Sequence, residues 1–306
     1  MEHHRREPTV TIAPEAPTTP LVPSRLELEI TNRCQLTCPT LCFVKAGPTQ
    51  GHGTMTVKDW KRVISEAAAL GVKKIQLIGG EATLHPGFVE IVEHALDEGL
   101  KVEVFSNLFR VRRDHWTLFE RPGVSLATSY HADTDEGHDE VTGREGSHAA
   151  TRANIIEALR RGIRIRVGIV DVLDGQRVEE ARAELLALGV TQVHVDRVRA
   201  VGNAVKGESL PSTSELCGRC ATGTAAVLAD GTVTPCVIGR FLPGGQVQDA
   251  TLERVFTSSQ WQQIAASIPA AHADPCGPDC GPNDDSQGGG GTCGPADDGV
   301  FPGAAH

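Results

Sequence analysis

The chain has 306 residues, 40% of them apolar, and a formal net charge of −10. That length buries a full core and carries one large domain with a small one, while the acidic balance argues against a nucleic-acid binder, which needs a basic surface to displace counterions. No run approaches the roughly 18 apolar residues that a membrane helix requires, and Met1 to Pro20, rich in His, Arg, Pro and Thr, lacks the apolar stretch of a signal peptide.

Residues 1–24 are expected to form a disordered arm. Leu26-Glu27-Leu28-Glu29-Ile30 alternates as a β-strand does. A cysteine-bearing loop follows, and then a helix: Thr56 is its N-cap, Asp59 completes a capping box, Trp60, Val63, Ile64, Ala67 and Leu70 share one face, and Gly71 ends it. Lys74 to Ile78 is a buried strand that stops at Gly79-Gly80-Glu81. Pro86 opens a helix that runs to Gly99. Val102 to Phe105 is a strand ending at Ser106-Asn107, Trp116 to Glu120 a short helix, and Val124 to Thr128 a strand ending at Ser129-Tyr130. Asp133 to Gly146 reads as an acidic loop flanked by two surface histidines, His131 and His138. A helix from about His148 to Arg161, the strand Arg164 to Val170 ending at Asp171, the helix Val178 to Leu188 and the strand Gln192 to Val195 ending at Asp196-Arg197 complete the alternation.

Strand followed by helix, about six times over, argues a parallel sheet with helical crossovers. Six units make either an open doubly wound sheet or an incomplete barrel, and both gather ligand-binding residues at the carboxyl ends of the strands. The polar and glycine motifs named above all stand there. The α/β core is expected over residues 25–205. A linker, Gly202 to Leu210, joins it to a C-terminal unit, residues 206–306, which contains a hairpin with Asp230-Gly231 at its turn. Helical segments follow near Leu252 to Phe256 and Gln260 to Ile268, and then a Gly-, Pro- and Asp-rich tail that cannot form a core of its own.

The nine cysteines fall into two groups, Cys34 to Cys42 and Cys217 to Cys293. Disulfide frameworks belong to small secreted domains, so a large core domain points instead to a reducing cytoplasm and metal-bound thiolates. Cys34, Cys38 and Cys42 place three soft ligands on one loop. A closed structural zinc site wants four ligands, and no fourth Cys lies nearby. A 4Fe–4S cluster held by three thiolates leaves one iron open to a ligand.

On these residues the chain resembles the radical S-adenosylmethionine (radical SAM) superfamily. The family's usual motif is Cys-x3-Cys-x2-Cys with an aromatic residue near its end; this chain has Cys-x3-Cys-x3-Cys followed by Phe43. The resemblance implies a partial (β/α)6 TIM-like barrel in which Cys34, Cys38 and Cys42 hold a 4Fe–4S cluster and S-adenosylmethionine chelates the open iron. It implies reductive cleavage to methionine and a 5′-deoxyadenosyl radical that takes a hydrogen atom from a substrate, with the electron coming from a ferredoxin or flavodoxin. By position in the family fold, Phe43, Gly79, Gly80, Glu81, Ser106, Asn107, Ser129, Arg152, Gly168 and Asp171 would contact the cofactor. Glu81 would be the partner of the methionine amino group and Arg152 of its carboxylate. Asp196 and Arg197 face the same mouth as candidates for substrate contact.

The C-terminal cysteines resemble the auxiliary-cluster domains called SPASM and twitch. Gly231-Thr232-Val233-Thr234-Pro235-Cys236 matches their Gly-x4-Cys element, and Cys217 or Cys220 supplies the earlier ligand. Their Cys-x2-Cys-x5-Cys-x3-Cys continuation is absent; Cys276, Cys280 and Cys293 stand in its place. At least one auxiliary 4Fe–4S cluster is expected, against a zinc ribbon built on Cys217, Cys220 and a later pair. The preferred substrate is a ribosomally synthesised peptide, modified by cross-linking, thioether formation or epimerisation. The arm is too short for a separate peptide-recognition domain. The alternatives are dehydrogenation or epimerisation of a small natural product such as an aminoglycoside, and a non-catalytic zinc or iron–sulfur scaffold.

Overall fold

The protein is described from a computed structural model over residues 20–207 and 210–269. Six strands, β1 (Arg25–Thr31), β2 (Lys74–Gly79), β3 (Lys101–Phe105), β4 (Val124–Ser129), β5 (Ile165–Asp171) and β6 (Gln192–Arg197), alternate with α1 (Val57–Ala69), α2 (Phe88–Asp97), α3 (Arg113–Phe119), α4 (Asp135–Thr142), α5 (Ser147–Arg160) and α6 (Val178–Leu188). Three further strands follow, β7 (Thr224–Val227), β8 (Thr232–Thr234) and β9 (Gly245–Gln246), and then α7 (Leu252–Phe256) and α8 (Ser259–Ser267).

One sheet holds all nine strands in the order β6-β5-β4-β3-β2-β1-β7-β8-β9. From β6 to β7 every pairing is parallel. The order β1 to β6 runs in one direction without reversal. Because parallel crossovers are right-handed, such an order puts the helices on one face and curls the other into a partial barrel; a doubly wound sheet would change direction midway. This decides between the two architectures left open by the sequence. The C-terminal hairpin continues the same sheet: β7 pairs in parallel with β1, Arg25 opposite Thr224 and Leu28 opposite Val227. β8 and β9 then pair antiparallel.

All seven residues of β1 are buried. Its apolar set, Leu26, Leu28 and Ile30, joins Ile75, Leu77, Val102 and Val104 in the core with Trp60, Val63 and Ile64 of α1 and Phe88, Ile91 and Val92 of α2. Each such side chain contributes about 1.5–3 kcal/mol by leaving water. The alternate set, Arg25, Glu27 and Glu29, faces the concave side, in register with Lys74, Gln76 and Glu103 of the next strands. An alternating strand read alone fits a solvated polar face; here that face is interior, and partners come from across the sheet. Arg166 meets Glu103 at 2.7 Å, Lys74 meets it at 3.4 Å, and Arg25 meets Glu27 at 2.9 Å. Burial pushes the Glu103 carboxyl up, and Arg166 and Lys74 more than reverse this, holding it well below the usual range.

Two local expectations are corrected. The acidic stretch from Asp133 to Gly146 contains α4, N-capped by the Thr134 hydroxyl, which accepts from the Gly137 N–H, and ended by Gly143 in the left-handed conformation. It buries only His138, Val141 and Thr142, too few apolar residues to show a period. Pro86 does not enter the second helix; α2 begins at Phe88, after a 3-10 turn over Ala82–Leu84.

Candidate active site and iron–sulfur centres

β1 runs directly into the first cysteine loop, and this loop is braced on three sides. On the first side, Gly80 donates to the Thr31 carbonyl at 2.7 Å and Glu81 to the Arg33 carbonyl at 2.8 Å, pinning the loop's start to the end of β2. A Cβ on Gly80 would stand 2.5 Å from the Arg33 oxygen, and one on Gly79 would stand 2.2 Å from the Thr31 oxygen. On the second side, the C-terminus of α4 holds Thr37, whose N–H donates to the Thr142 carbonyl at 3.2 Å and whose hydroxyl donates to the Gly143 carbonyl at 2.9 Å. The third brace comes from the segment after β6. Asn203 donates its N–H to the Cys42 carbonyl at 3.0 Å and its side-chain amide to the Cys38 carbonyl at 2.9 Å. Gly202 lies so close that a Cβ would meet the Cys42 oxygen at 2.3 Å.

So held, Cys34, Cys38 and Cys42 line one cavity together with Phe43, Gly79, Gly80, Asn107, Ser129, Asp196 and Arg197. Cys217, Cys220 and Cys236 line the same cavity. N–H groups point at the sulfurs: Leu36 at Cys34 Sγ (3.4 Å), Ala46 at Cys42 Sγ (3.2 Å) and the Asn107 side chain at Cys34 Sγ (3.6 Å). Such donors stabilise ligating thiolates rather than neutral thiols. Burial pushes Cys34 and Cys38 up to about 12, helped by the charge of Glu81 at Cys34 and by Cys42 at Cys38; burial also raises Cys42. Thiols in that condition ionise only when a metal takes the proton's place. Among the described residues no group of three His, Cys, Asp or Glu is gathered as a single metal ion would need. Three thiols on one loop suit a cluster, in which each thiolate takes its own iron.

At the second set, Cys220 Sγ lies 3.0 Å from Cys236 Sγ and 4.0 Å from Cys217 Sγ, and Gly239 N–H points at Cys236 Sγ from 3.2 Å. Hydrogen bonds to Cys217 and Cys236 raise the Cys220 thiol well above its ordinary value. Among the described residues no cysteine forms a disulfide. Cys276, Cys280 and Cys293 lie outside the described residues.

The remaining expected contacts divide. Glu81 is buried behind the cavity wall, and its carboxylate is fully engaged. One oxygen accepts from the Thr83 N–H (3.1 Å) and hydroxyl (2.6 Å), the other from the Asn107 N–H (2.8 Å), and Ser106 bonds it as well. Glu81 thereby ties the ends of β2 and β3 together and orients Asn107. Ser106 is buried behind the wall with it. Arg152 lies apart from these: its Nε pairs with Glu184 at 2.6 Å between α5 and α6, and it is not among the residues lining the cavity. Gly168 sits beneath Ser129 in the sheet register, and Asp171 is exposed at the end of β5; neither lines the cavity. Phe43 lines the cavity and packs on the cluster of Ile78, Ala226, Leu228 and Val237, toward the C-terminal hairpin.

His131 and His138, read as surface histidines, are 2% and 1% exposed and line the cavity. His138 Nδ1 accepts from the His131 N–H at 3.2 Å, and its ring packs among Tyr130, His131 and His148. Burial holds His131 down at about 4 and His138, beside His131 and His148, at about 2, so both are neutral near pH 7. At the rim, Asp196 pairs with Arg199 at 2.8 Å and Arg197 with Glu215 at 2.8 Å, tying the end of β6 to the segment before Cys217. The sequence carried a signal for the glycines, which punctuate strand ends, and none for the partners of Asn203, Thr37 or Glu215.

Parallel sheet, strand-end cavity and two cysteine sets define an α/β iron–sulfur protein whose first loop holds three ligands. Comparison with known proteins makes this specific. The family model described as "Radical SAM superfamily" matches residues 28–188, and one described as "Iron-sulfur cluster-binding domain" matches residues 217–281. The chain belongs to the radical SAM superfamily and carries a SPASM domain, so a 4Fe–4S cluster, S-adenosylmethionine and auxiliary iron–sulfur binding are its cofactors. It is similar to the PqqA peptide cyclase of Rhodopseudomonas palustris, 31% identical over 129 residues, covering 42% of this chain and 34% of that one. It is similar as well to the sporulation killing factor maturation protein SkfB of Bacillus subtilis, 28% identical over 188 residues, covering 61% and 45%. The chain thus spans less than half the length of these relatives. Among solved structures, Streptococcus suis SuiB bound to precursor peptide SuiA matches with a TM-score of 0.67 at 14% identity, covering 80% of this chain and 67% of that one. The native anSMEcpe with bound AdoMet and Cp18Cys peptide matches with a TM-score of 0.61 at 13% identity, covering 81% and 84%. At these identities the likeness is one of fold.

Proposed function

We propose that this chain cleaves S-adenosylmethionine reductively and removes a hydrogen atom from a ribosomally synthesised peptide, forming a cross-link or thioether or inverting a stereocentre. The single observation that carries the reading is that both cysteine sets open onto one cavity at the carboxyl ends of the strands. Sequence similarity to a PqqA peptide cyclase and to a sporulation killing factor maturation protein supports the substrate class.

Cys34, Cys38 and Cys42 would hold the cluster, which would supply the single electron that reductive cleavage of the sulfonium requires. The protein's share is to hold and orient. Cys34, Cys38 and Cys42 supply the three ligands, while Asn107 and Ser129 present hydrogen-bonding groups on the cavity wall. Leu36, Leu41, Phe43, Ile78 and Phe105 line the same space with apolar surface and exclude water, which protects a radical from side reactions. Cys217, Cys220 and Cys236 line the same cavity and would hold the auxiliary cluster. In a cross-link the substrate loses two hydrogens: one atom would go to the 5′-deoxyadenosyl radical, and the other would leave as a proton, with its electron going to an auxiliary cluster held by Cys217, Cys220 and Cys236. The first electron comes from a ferredoxin or flavodoxin in a reducing cytoplasm.

The test is anaerobic turnover of reconstituted protein with short peptides encoded beside its gene, read by mass spectrometry in deuterated water. Loss of two hydrogens, or gain of one deuterium at an α-carbon, supports the reading. Peptides that return unmodified, while an aminocyclitol or amino sugar is dehydrogenated, would replace it with the small-molecule alternative.

A further inference from the structure

The strand that ends in the first cysteine loop also grips the second cysteine set. Glu27 and Glu29 lie on the concave face of β1, 0% and 1% exposed. Glu27 Oε2 accepts the Val237 N–H at 2.9 Å, at the residue next to Cys236. The Glu29 carboxylate takes both ends of the Arg240 guanidinium, at 2.9 and 3.3 Å. Between these two anchors the turn is held internally: the Thr234 hydroxyl donates to the Cys236 carbonyl at 3.0 Å, and the Gly239 N–H points at Cys236 Sγ from 3.2 Å. The Ala221 N–H donates to the Pro235 carbonyl at 3.0 Å, joining the Cys220 segment to the same turn.

A buried ion pair adds little net stability, because desolvation offsets the attraction; what it does supply is a fixed position. The Arg240 fork fits a carboxylate in one plane only. β1 is itself fixed by parallel neighbours on both sides, β2 and β7. It thus acts as one rigid rod, with Cys34 just beyond its tip and Cys236 bracketed against its concave face.

We propose that Glu29, through Arg240, is the positioning residue of the auxiliary centre, with Glu27 as the second anchor, and that this bracket sets where the auxiliary cluster stands relative to the first. The proposal rests on the reading of Cys217, Cys220 and Cys236 as cluster ligands. The test uses the full chain in two backgrounds: Cys34→Ala/Cys38→Ala/Cys42→Ala, which keeps the second set, and Cys217→Ala/Cys220→Ala/Cys236→Ala, which keeps the first. Iron and labile sulfide per chain are measured after anaerobic reconstitution, with the electron paramagnetic resonance spectrum of the reduced cluster and far-ultraviolet circular dichroism.

In the first background Glu29→Gln lowers iron by about threefold or more, as expected when a buried charge loses its partner, and changes the spectrum of what remains. In the second background it leaves iron unchanged. Arg240→Lys, which keeps the charge without the fork, gives an intermediate loss and guards against a folding failure of the Gln variant. Equal iron with and without Glu29 in the first background, or equal loss in both backgrounds, overturns the bracket. If the first background binds no iron even with Glu29 intact, the auxiliary-ligand reading itself falls, and the bracket with it.

Discussion

Asn203 holds the peptide carbonyl of Cys38 with its side-chain amide at 2.9 Å, and its own N–H meets the carbonyl of Cys42 at 3.0 Å. These two carbonyls bound the second interval of the cysteine loop, the one that is a residue longer than the family's usual spacing. A longer loop has more conformations to lose on ordering, and Asn203 supplies a fastener at each end of the added length. Asn203→Ala removes the side-chain bond, with a net cost of about 1 kcal/mol for a typical hydrogen bond. The expected outcome is a first loop that reconstitutes with less iron, while the auxiliary set is unaffected. Iron content in the Cys217→Ala/Cys220→Ala/Cys236→Ala background checks this; unchanged iron there would show that the loop orders itself.

Gly80 and Gly51 make a matched pair for testing the first brace. A methyl at Gly80 would press on the Arg33 carbonyl from 2.5 Å, whereas nothing lies within 4 Å of one at Gly51. Gly80→Ala is expected to destabilise by about 1–3 kcal/mol, the usual range for overpacking, and to impair cluster binding by displacing Arg33 and Cys34. Gly51→Ala is expected to be neutral in thermal unfolding and in iron content. Equal behaviour of the two variants would contradict the close-approach account of the Gly79-Gly80 segment.

Three histidines make folding sensitive to mild acid. Burial holds His131 and His85 at about 4 and His138 at about 2, against an ordinary value of 6.5; His52 adds to the effect at His85, and His131 and His148 at His138. Between pH 6.5 and about 4 the unfolded chain binds a proton at each position and the folded chain does not. Their contribution is therefore fully present above pH 6.5 and shrinks as pH falls, by up to about 1.4 kcal/mol per histidine per pH unit. Urea unfolding between pH 7 and 5 reads this before the carboxylates titrate. Stability should drop across that range, and His138→Gln should flatten the slope. A flat wild-type profile would mean that these rings are protonated in the fold.

Much of this was legible in the sequence, for a reason that also marks its limit. The strand-then-loop of Leu26 to Cys42, the capping box at Thr56 and Asp59, and the Asp230-Gly231 turn are local patterns, and local chemistry fixes them. The direction of winding was not local: it needed the strand order, which decides between a curled sheet and a doubly wound one. The interior role of Glu27 and Glu29 has no local signal, because their partners Val237 and Arg240 lie some two hundred residues away in the chain. His138 looked exposed because α4 carries so few apolar residues. Glu81 and Arg152 are assigned from position in a family fold, and their partners here, Thr83, Ser106 and Asn107 for the one and Glu184 for the other, come from other elements that no local pattern reveals.

The most direct measurement is the yield of 5′-deoxyadenosine from S-adenosylmethionine by the anaerobically reconstituted, chemically reduced protein, compared with its Cys34→Ala variant. A cluster held by three sulfurs, with one iron free to take the sulfonium compound, predicts clear production by the wild type and none above background by the variant. Equal production by the two, or none from a wild type shown to contain iron and sulfide, would contradict it.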